Sequence, residues 1–168
     1  MSFITFENKR IVVFGLANKK SVAYFIAREL IAAGAEVLHV VRSQERRKTA
    51  KKLFPDCAVF VCDVEEEDNI VRVRQEIAAQ LGAGLLDGIV HSIAYANYSE
   101  GFKPFHETRR QDFLQAVNIS CFSFISIANN FKELLAPEAS VVTISISTTK
   151  MAAENYGYMA PVKAALDS

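Results

Sequence analysis

Two side chains near the end of the chain, Tyr156 and Lys163, are of types that could handle charge and a proton together. They stand seven positions apart in Tyr-Gly-Tyr-Met-Ala-Pro-Val-Lys, and seven residues is about two turns of a helix. That spacing predicts both on one helical face. A phenol can donate a hydrogen bond or a proton, and a neighbouring ammonium favours negative charge developing there. Alone, the same pair would serve equally well as packing and solvation of a helix face, so its meaning depends on what the rest of the chain brings to it.

The elements that must position the pair are legible as an alternation. Short runs rich in β-branched residues, 10–14, 36–41, 58–62, 88–92 and 140–145, read as buried parallel strands. Between them lie segments of helical period. In the first, Val22, Phe25, Ile26, Leu30 and Ile31 recur until Gly34, a helix stop. A polar helix runs from about Arg42 to Phe54 before Pro55, and an acidic-fronted helix spans 65–81. Residues 94–108 read as a loop, 109–135 as one long helix ended by Pro137, and a closing helix begins near Tyr156. This predicts an α/β fold: a doubly wound, Rossmann-like parallel sheet, helices on both faces, strand order 3-2-1-4-5. Residues 1–168 would form a single dinucleotide-binding domain. A sheet of this order normally carries a sixth strand, so the chain is expected to be the N-terminal two-thirds of a C-terminally incomplete domain.

In an open parallel sheet, ligands bind beyond the carboxyl ends of the strands. Candidates follow by position. The turn Gly15-Leu-Ala-Asn-Lys-Lys-Ser21 leads into a helix, and its amides suit a diphosphate. Its Ser21 hydroxyl can cap the helix or bind phosphate. Arg42, where an acidic residue would bind an NAD ribose, instead suits a 2'-phosphate and tilts the choice between NADH and NADPH toward NADPH. Arg46 and Arg47 could add charge. Asp63 can take an adenine amino group or cap the next helix. His91 lies inside a strand and reads as a satisfied core residue, without assigned chemistry.

Composition narrows the classes. Hydrophobic residues make up 51% of the 168, ample for a core. Lys plus Arg and Asp plus Glu number 19 each, which argues against nucleic acid or an anionic membrane as partner. No apolar run reaches the roughly 20 residues of a membrane span, and no leader is visible. The three cysteines, Cys57, Cys62 and Cys121, lack metal-ligand spacing and read as reduced thiols of a cytoplasmic protein; no metal site is expected.

Several stretches together resemble the bacterial enoyl-acyl-carrier-protein reductases, a divergent branch of the short-chain dehydrogenase/reductase superfamily. They are Gly15-Leu-Ala-Asn-Lys-Lys-Ser-Val-Ala-Tyr24, Cys62-Asp-Val64, His91-Ser-Ile-Ala-Tyr-Ala96, Asn118-Ile-Ser120 and Asn155-Tyr-Gly-Tyr-Met-Ala-Pro-Val-Lys163. Ordinary members of the superfamily carry Tyr four positions before Lys; here that position is Met159, and the seven-residue spacing is that of enoyl reductases. The resemblance implies NAD(P)H-dependent reduction of the trans-2 double bond of an enoyl thioester in fatty acid biosynthesis. It implies that Tyr156 stabilises the developing enolate oxygen and that Lys163 binds the nicotinamide ribose. Gly15, Ser21 and Val22 would then hold the diphosphate, and Asp63 and Val64 the adenine. Ser92, Ile93 and Ala94 would line the nicotinamide, with Ala96 near the acyl chain.

The resemblance further implies a homotetramer assembled through the long helix and the closing helix. Phe122, Phe124, Ile125 and Phe131, which exceed one narrow apolar stripe, fit that expectation. One position departs: relatives commonly carry a second Tyr ten residues before the first, where this chain has Ile146. Three readings of that departure stay open: Tyr156 suffices alone, Tyr158 or Tyr95 compensates, or the substrate differs. Two other readings stay open: a catalytically inactive nucleotide-binding or interaction protein of the same fold, and a ketoreductase of the same superfamily.

Overall fold

The computed structural model describes residues 5–101, 103–147 and 157–168. Five strands form one parallel sheet in the order β3-β2-β1-β4-β5, as the alternation predicts. They are β1 (Arg10–Phe14), β2 (Glu36–Val41), β3 (Ala58–Val61), β4 (Leu86–His91) and β5 (Leu135–Thr143). Phe14 pairs with Val40 on one side and His91 on the other, so the carboxyl ends of the central strands are level.

Strand β1 is buried on both faces because its side chains alternate into two separate cores. Val12 and Phe14 join Ile70, Val73 and Ile77 of α3 (Glu67–Leu81) and Ile127 and Phe131 of α5 (Ser123–Phe131). Phe14 and Phe131 meet edge to face at 5.9 Å. Ile11 and Val13 instead face α1 (Val22–Ala32) and α2 (Gln44–Leu53). On α1 the buried residues are Ala23 and Ala27, small side chains one turn apart that let the helix lie close on the sheet. Each fully buried Phe, Ile or Leu contributes about 1.5–3 kcal/mol of transfer free energy. His39 of β2 is buried with neither ring nitrogen hydrogen-bonded, stacked at 4.8 Å on Phe54; burial lowers its pKa to about 4.

Three sequence expectations need correction. The long helix over 109–135 is interrupted. It runs as α4 (Arg110–Val117), a π-helical turn Asn118–Phe122, α5, and a 3₁₀ turn Lys132–Leu134. The π turn has local causes: the Ser123 hydroxyl donates back to the Ile119 carbonyl at 2.6 Å, and Asn118 Nδ2 donates to the Glu65 carbonyl at 3.3 Å. Second, β5 starts at Leu135 rather than Ser140. Pro137 sits where the pairing jumps from Leu86–Leu135 to Gly88–Ser140, an irregularity that spares it the donor role it cannot fill. Third, α6 (Met159–Asp167) begins at Met159, after Gly157 with φ +51°. Tyr156 itself lies outside the described residues.

Candidate active site

The β1–α1 turn starts at a glycine for a steric reason. Gly15 has φ +94°, and a Cβ there would stand 2.0 Å from the Ser92 carbonyl oxygen. The turn therefore packs directly on the chain leaving β4, where Ser92 N–H donates to the Phe14 carbonyl at 3.2 Å. Gly15 has no side chain of its own to cover its backbone, which leaves room for the close approach of a ligand group. Ser21 is the N-cap of α1 by position but makes no side-chain cap; its hydroxyl donates to the Asn18 carbonyl at 2.6 Å. Of the two expectations for Ser21, the side-chain cap is not made. Val22 follows it, half exposed on the first turn of α1.

A cleft of about 250 Å³ opens over the carboxyl ends of the strands. Of the residues singled out from sequence, Gly15, Arg42, Asp63, Val64, Ser92, Ile93 and Ala94 all line it; Ser21, Val22, Ala96 and Lys163 do not. Arg42, just past β2, places Nε 3.4 Å from Asp63 Oδ2 and its guanidinium 5.2 Å from the centroid of the Tyr95 ring. Both Arg42 and Asp63 are substantially exposed, so the pair is weakly held and open to exchange for a stronger anion. Arg46 also lines the cleft and donates to the Ala17 carbonyl at 3.1 Å, while its amide is capped by Ser43 Oγ. Asp63 Oδ1 accepts the Glu65 amide at 3.3 Å, so Asp63 braces the turn before α3, whose N-cap is Glu66. Cys62 lines the floor, and burial pushes its thiol up to about 12; it is an inert wall.

Beyond β4 the chain continues without regular secondary structure through Ser92–Asn97. Lys163, on α6, reaches its near side from below: Nζ donates to the Ile93 carbonyl at 2.9 Å and to the Ile144 carbonyl at 2.8 Å. The ammonium thus bridges the chains leaving β4 and β5. It is 1% exposed, and burial lowers its pKa. His91 also bridges these strands: Nε2 meets Ser123 Oγ at 2.8 Å and Nδ1 meets Thr143 Oγ1 at 2.9 Å. Ser123 already donates to Ile119, so it accepts from Nε2–H, leaving Nδ1 to accept from Thr143. Burial, and then the Lys163 charge, lower the pKa of His91 to about 4, so the ring is a neutral structural lock, as its place within the strand suggested.

Sequence reasoning missed four residues here. Ser120 and Tyr158 hold the main chain of the post-β4 segment through their hydroxyls. Ser145, next to Ile144, has a buried hydroxyl without a hydrogen-bond partner. Tyr95 faces Arg42. Ser120, Tyr158 and Tyr95 each stand in a stretch that the sequence singles out, but nothing there told what their side chains hold. Ile146 is half-buried and brings no donor. Of its two suggested substitutes, Tyr158 holds Asn97 through its hydroxyl, and the Tyr95 ring lies 5.2 Å from the Arg42 guanidinium. Ala96 packs against the cluster of Ala116, Tyr158, Met159 and Val162. Nearby, Gly157, Tyr98, Arg109 and Asp112 border a second cavity of about 300 Å³. Among the described residues, no group of His, Cys, Asp and Glu is arranged to hold a metal, and no helix is long and apolar enough to cross a membrane.

The chain is 32% identical over 170 residues to the enoyl-[acyl-carrier-protein] reductase [NADPH] FabI of Staphylococcus aureus, covering 98% of this chain and 66% of that protein. It is 33% identical over 163 residues to the enoyl-[acyl-carrier-protein] reductase [NADH] FabI of Enterococcus faecalis, covering 96% of this chain and 64% of that protein. The crystal structure of the Anaplasma phagocytophilum enoyl-(acyl-carrier-protein) reductase in complex with NAD superposes with a TM-score of 0.91 at 30% identity, over 99% of this chain and 64% of that one. The chain thus spans about two thirds of the length of these relatives. A family model described as enoyl-(acyl carrier protein) reductase matches residues 15–168, and the chain belongs to that family.

Proposed function

We propose that the protein reduces the trans-2 double bond of enoyl-acyl-carrier-protein thioesters in fatty acid biosynthesis, using NADH or NADPH. The observation that carries this reading is Lys163: a buried ammonium held on the Ile93 carbonyl, directly beside the cleft that Gly15, Asp63 and Ser92 line. The cleft's residues fit a dinucleotide. The Gly15 turn has no room for a Cβ and offers bare backbone to a diphosphate, with Ser21 and Val22 at the helix start beyond it. Asp63 and Val64 suit the adenine, and Arg42 suits a 2'-phosphate, whose charge would outcompete Asp63 for the guanidinium. Ser92, Ile93 and Ala94 would flank the nicotinamide, and Ala96 the acyl chain.

When bound, a reduced nicotinamide supplies a hydride to the β-carbon of the enoyl thioester. The Tyr156 hydroxyl then donates to the thioester oxygen as negative charge develops on it. Lys163 lends positive potential from a site where burial keeps it poorly screened, and would bind the ribose hydroxyls by turning its ammonium from the Ile93 and Ile144 carbonyls into the cleft. The residues make a single dinucleotide-binding domain in a cytoplasmic enzyme whose partner is the carrier-protein-bound substrate. Exposed Leu114, Phe122 and Ile125 on α4, the π turn and α5 support a homotetramer packed through these helices and α6.

Titrating the full chain with NADPH and NADH by nucleotide fluorescence, then adding a trans-2-enoyl thioester, tests the reading. Binding followed by oxidation of the nucleotide is expected; failure to bind either nucleotide would sink it. Binding without turnover would favour an inactive nucleotide-binding protein, the reading motivated by Ile146. A ketoreductase is disfavoured by Met159, a buried side chain with no proton to give where that class needs a phenol.

A further inference from the structure

Among the described residues the segment leaving β4 pairs with no strand beyond Ser92, yet most of it is half-buried, so its main-chain groups need other partners. Two hydroxyls supply them. Ser120 Oγ accepts from the Tyr95 N–H at 2.8 Å and donates to the Tyr95 carbonyl at 3.2 Å. Tyr158 OH does the same to Asn97, accepting from its N–H at 2.8 Å and donating to its carbonyl at 3.2 Å. A hydroxyl is the side-chain group that can do both with one atom. Residues 95 and 97 are two apart, and each has both of its main-chain groups taken by one hydroxyl. Tyr158 is 5% exposed, and its ring packs against Tyr98 (5.8 Å) and Phe113 (6.3 Å).

Tyr158 is also the N-cap residue of α6, the helix that carries Lys163. That helix is therefore tied to the post-β4 segment at two points: Tyr158 on Asn97, and Lys163 on the Ile93 carbonyl. The tethers are five residues apart, about 7.5 Å along a helix axis. One tether would let the helix pivot about it; two fix its rotation and its height over the cleft.

We infer that Tyr158 is a positioning residue: its hydroxyl, by gripping both main-chain groups of Asn97, sets where α6 holds Lys163 beside the nicotinamide end of the cleft. The inference rests on the reductase reading above.

The test is Tyr158→Phe in the full chain, which keeps the ring and removes only the hydroxyl. With a trans-2-enoyl thioester, kcat falls about tenfold or more, as for a small misplacement of a catalytic group. The thioester KM stays within about twofold, since ground-state binding is not what is lost. The deuterium isotope effect from nucleotide labelled at the transferred position rises, because the chemical step becomes limiting. Phe113→Leu, which loosens the same packing without touching the hydroxyl, lowers Tm but leaves kcat and the isotope effect near wild type. Wild-type kcat and isotope effect in Tyr158→Phe would overturn the inference and leave the reductase reading standing, as would an equal kcat loss in Phe113→Leu. Absence of turnover by the wild type with either nucleotide would overturn both.

Discussion

Replacing Gly15 by Ala tests the cleft at its tightest point. The new Cβ would lie 2.0 Å from the Ser92 carbonyl oxygen and 2.7 Å from its carbon, where ordinary contact begins at 3.4 Å. The backbone leaving β4 must therefore give by about 1.4 Å, an overpacking that costs about 1–3 kcal/mol. Holding an L-residue at φ +94° adds about 1–2 kcal/mol. Together these predict a loss of about 2–5 kcal/mol, or a Tm about 5–20 °C lower for a chain of this size. Gly82→Ala separates the two contributions: Gly82 has φ +59° but nothing within 4 Å of a Cβ, so that variant should lose only the conformational part. Because the displaced carbonyl belongs to the segment proposed to flank the nicotinamide, Gly15→Ala should also lose nucleotide affinity, while Gly82→Ala should not. Thermal unfolding and nucleotide fluorescence titration read both effects. A Gly15→Ala protein no less stable than Gly82→Ala, with unchanged affinity for NADPH, would refute the reasoning.

Arg42→Ala should weaken NADPH binding about 10- to 100-fold, the worth of a charged hydrogen bond, and leave NADH binding within about twofold; equal losses for both would remove Arg42 from phosphate recognition. Stability should fall with acid in a defined window. His39 and His91 have folded-state pKa values near 4, below an unfolded value of about 6.5, so the unfolded chain binds more protons between those limits. Their contribution is complete above pH about 6.5 and is lost as pH falls toward 4, by up to about 3 kcal/mol each. Denaturant unfolding at pH 7 and pH 5 checks this, and His39→Leu, which removes a buried ring with no partners, should reduce the slope; an unchanged slope would mean that His39 does not titrate on unfolding.

The sheet order was legible because each strand is a short β-branched run between segments of helical period, and because β1 is buried on both faces and so lacks any polar alternation. The cleft was legible for the same reason: strand order dictates which strand ends meet, and Gly15, Arg42, Asp63 and Ser92 are simply the residues that follow them. What escaped sequence reading depends on contacts between distant residues. Ser120 acts on Tyr95, 25 residues away, and Tyr158 on Asn97, 61 residues away. Neither grip leaves a periodicity, and Ser or Tyr on a helix more often faces water or packing. The π turn escaped because its apolar spacing stays near the helical period, while its cause lies in Ser123 and Asn118 bonding to carbonyls. The start of α6 was misplaced because Tyr-Gly-Tyr was counted as helix, although Gly157 takes a left-handed φ of +51°. Early entry into β5 was hidden by Pro137, which reads as a stop but here sits in a bulge.

The central claim, enoyl reduction assisted by Tyr156, is tested most directly by following reduced-nicotinamide absorbance in the full chain supplied with a trans-2-enoyl thioester, wild type beside Tyr156→Phe. The account predicts one nucleotide oxidised per double bond in the wild type, and a kcat lower by about 100-fold in the variant with the nucleotide Kd unchanged. Full activity in Tyr156→Phe, or no oxidation of either NADH or NADPH by the wild type, would contradict it.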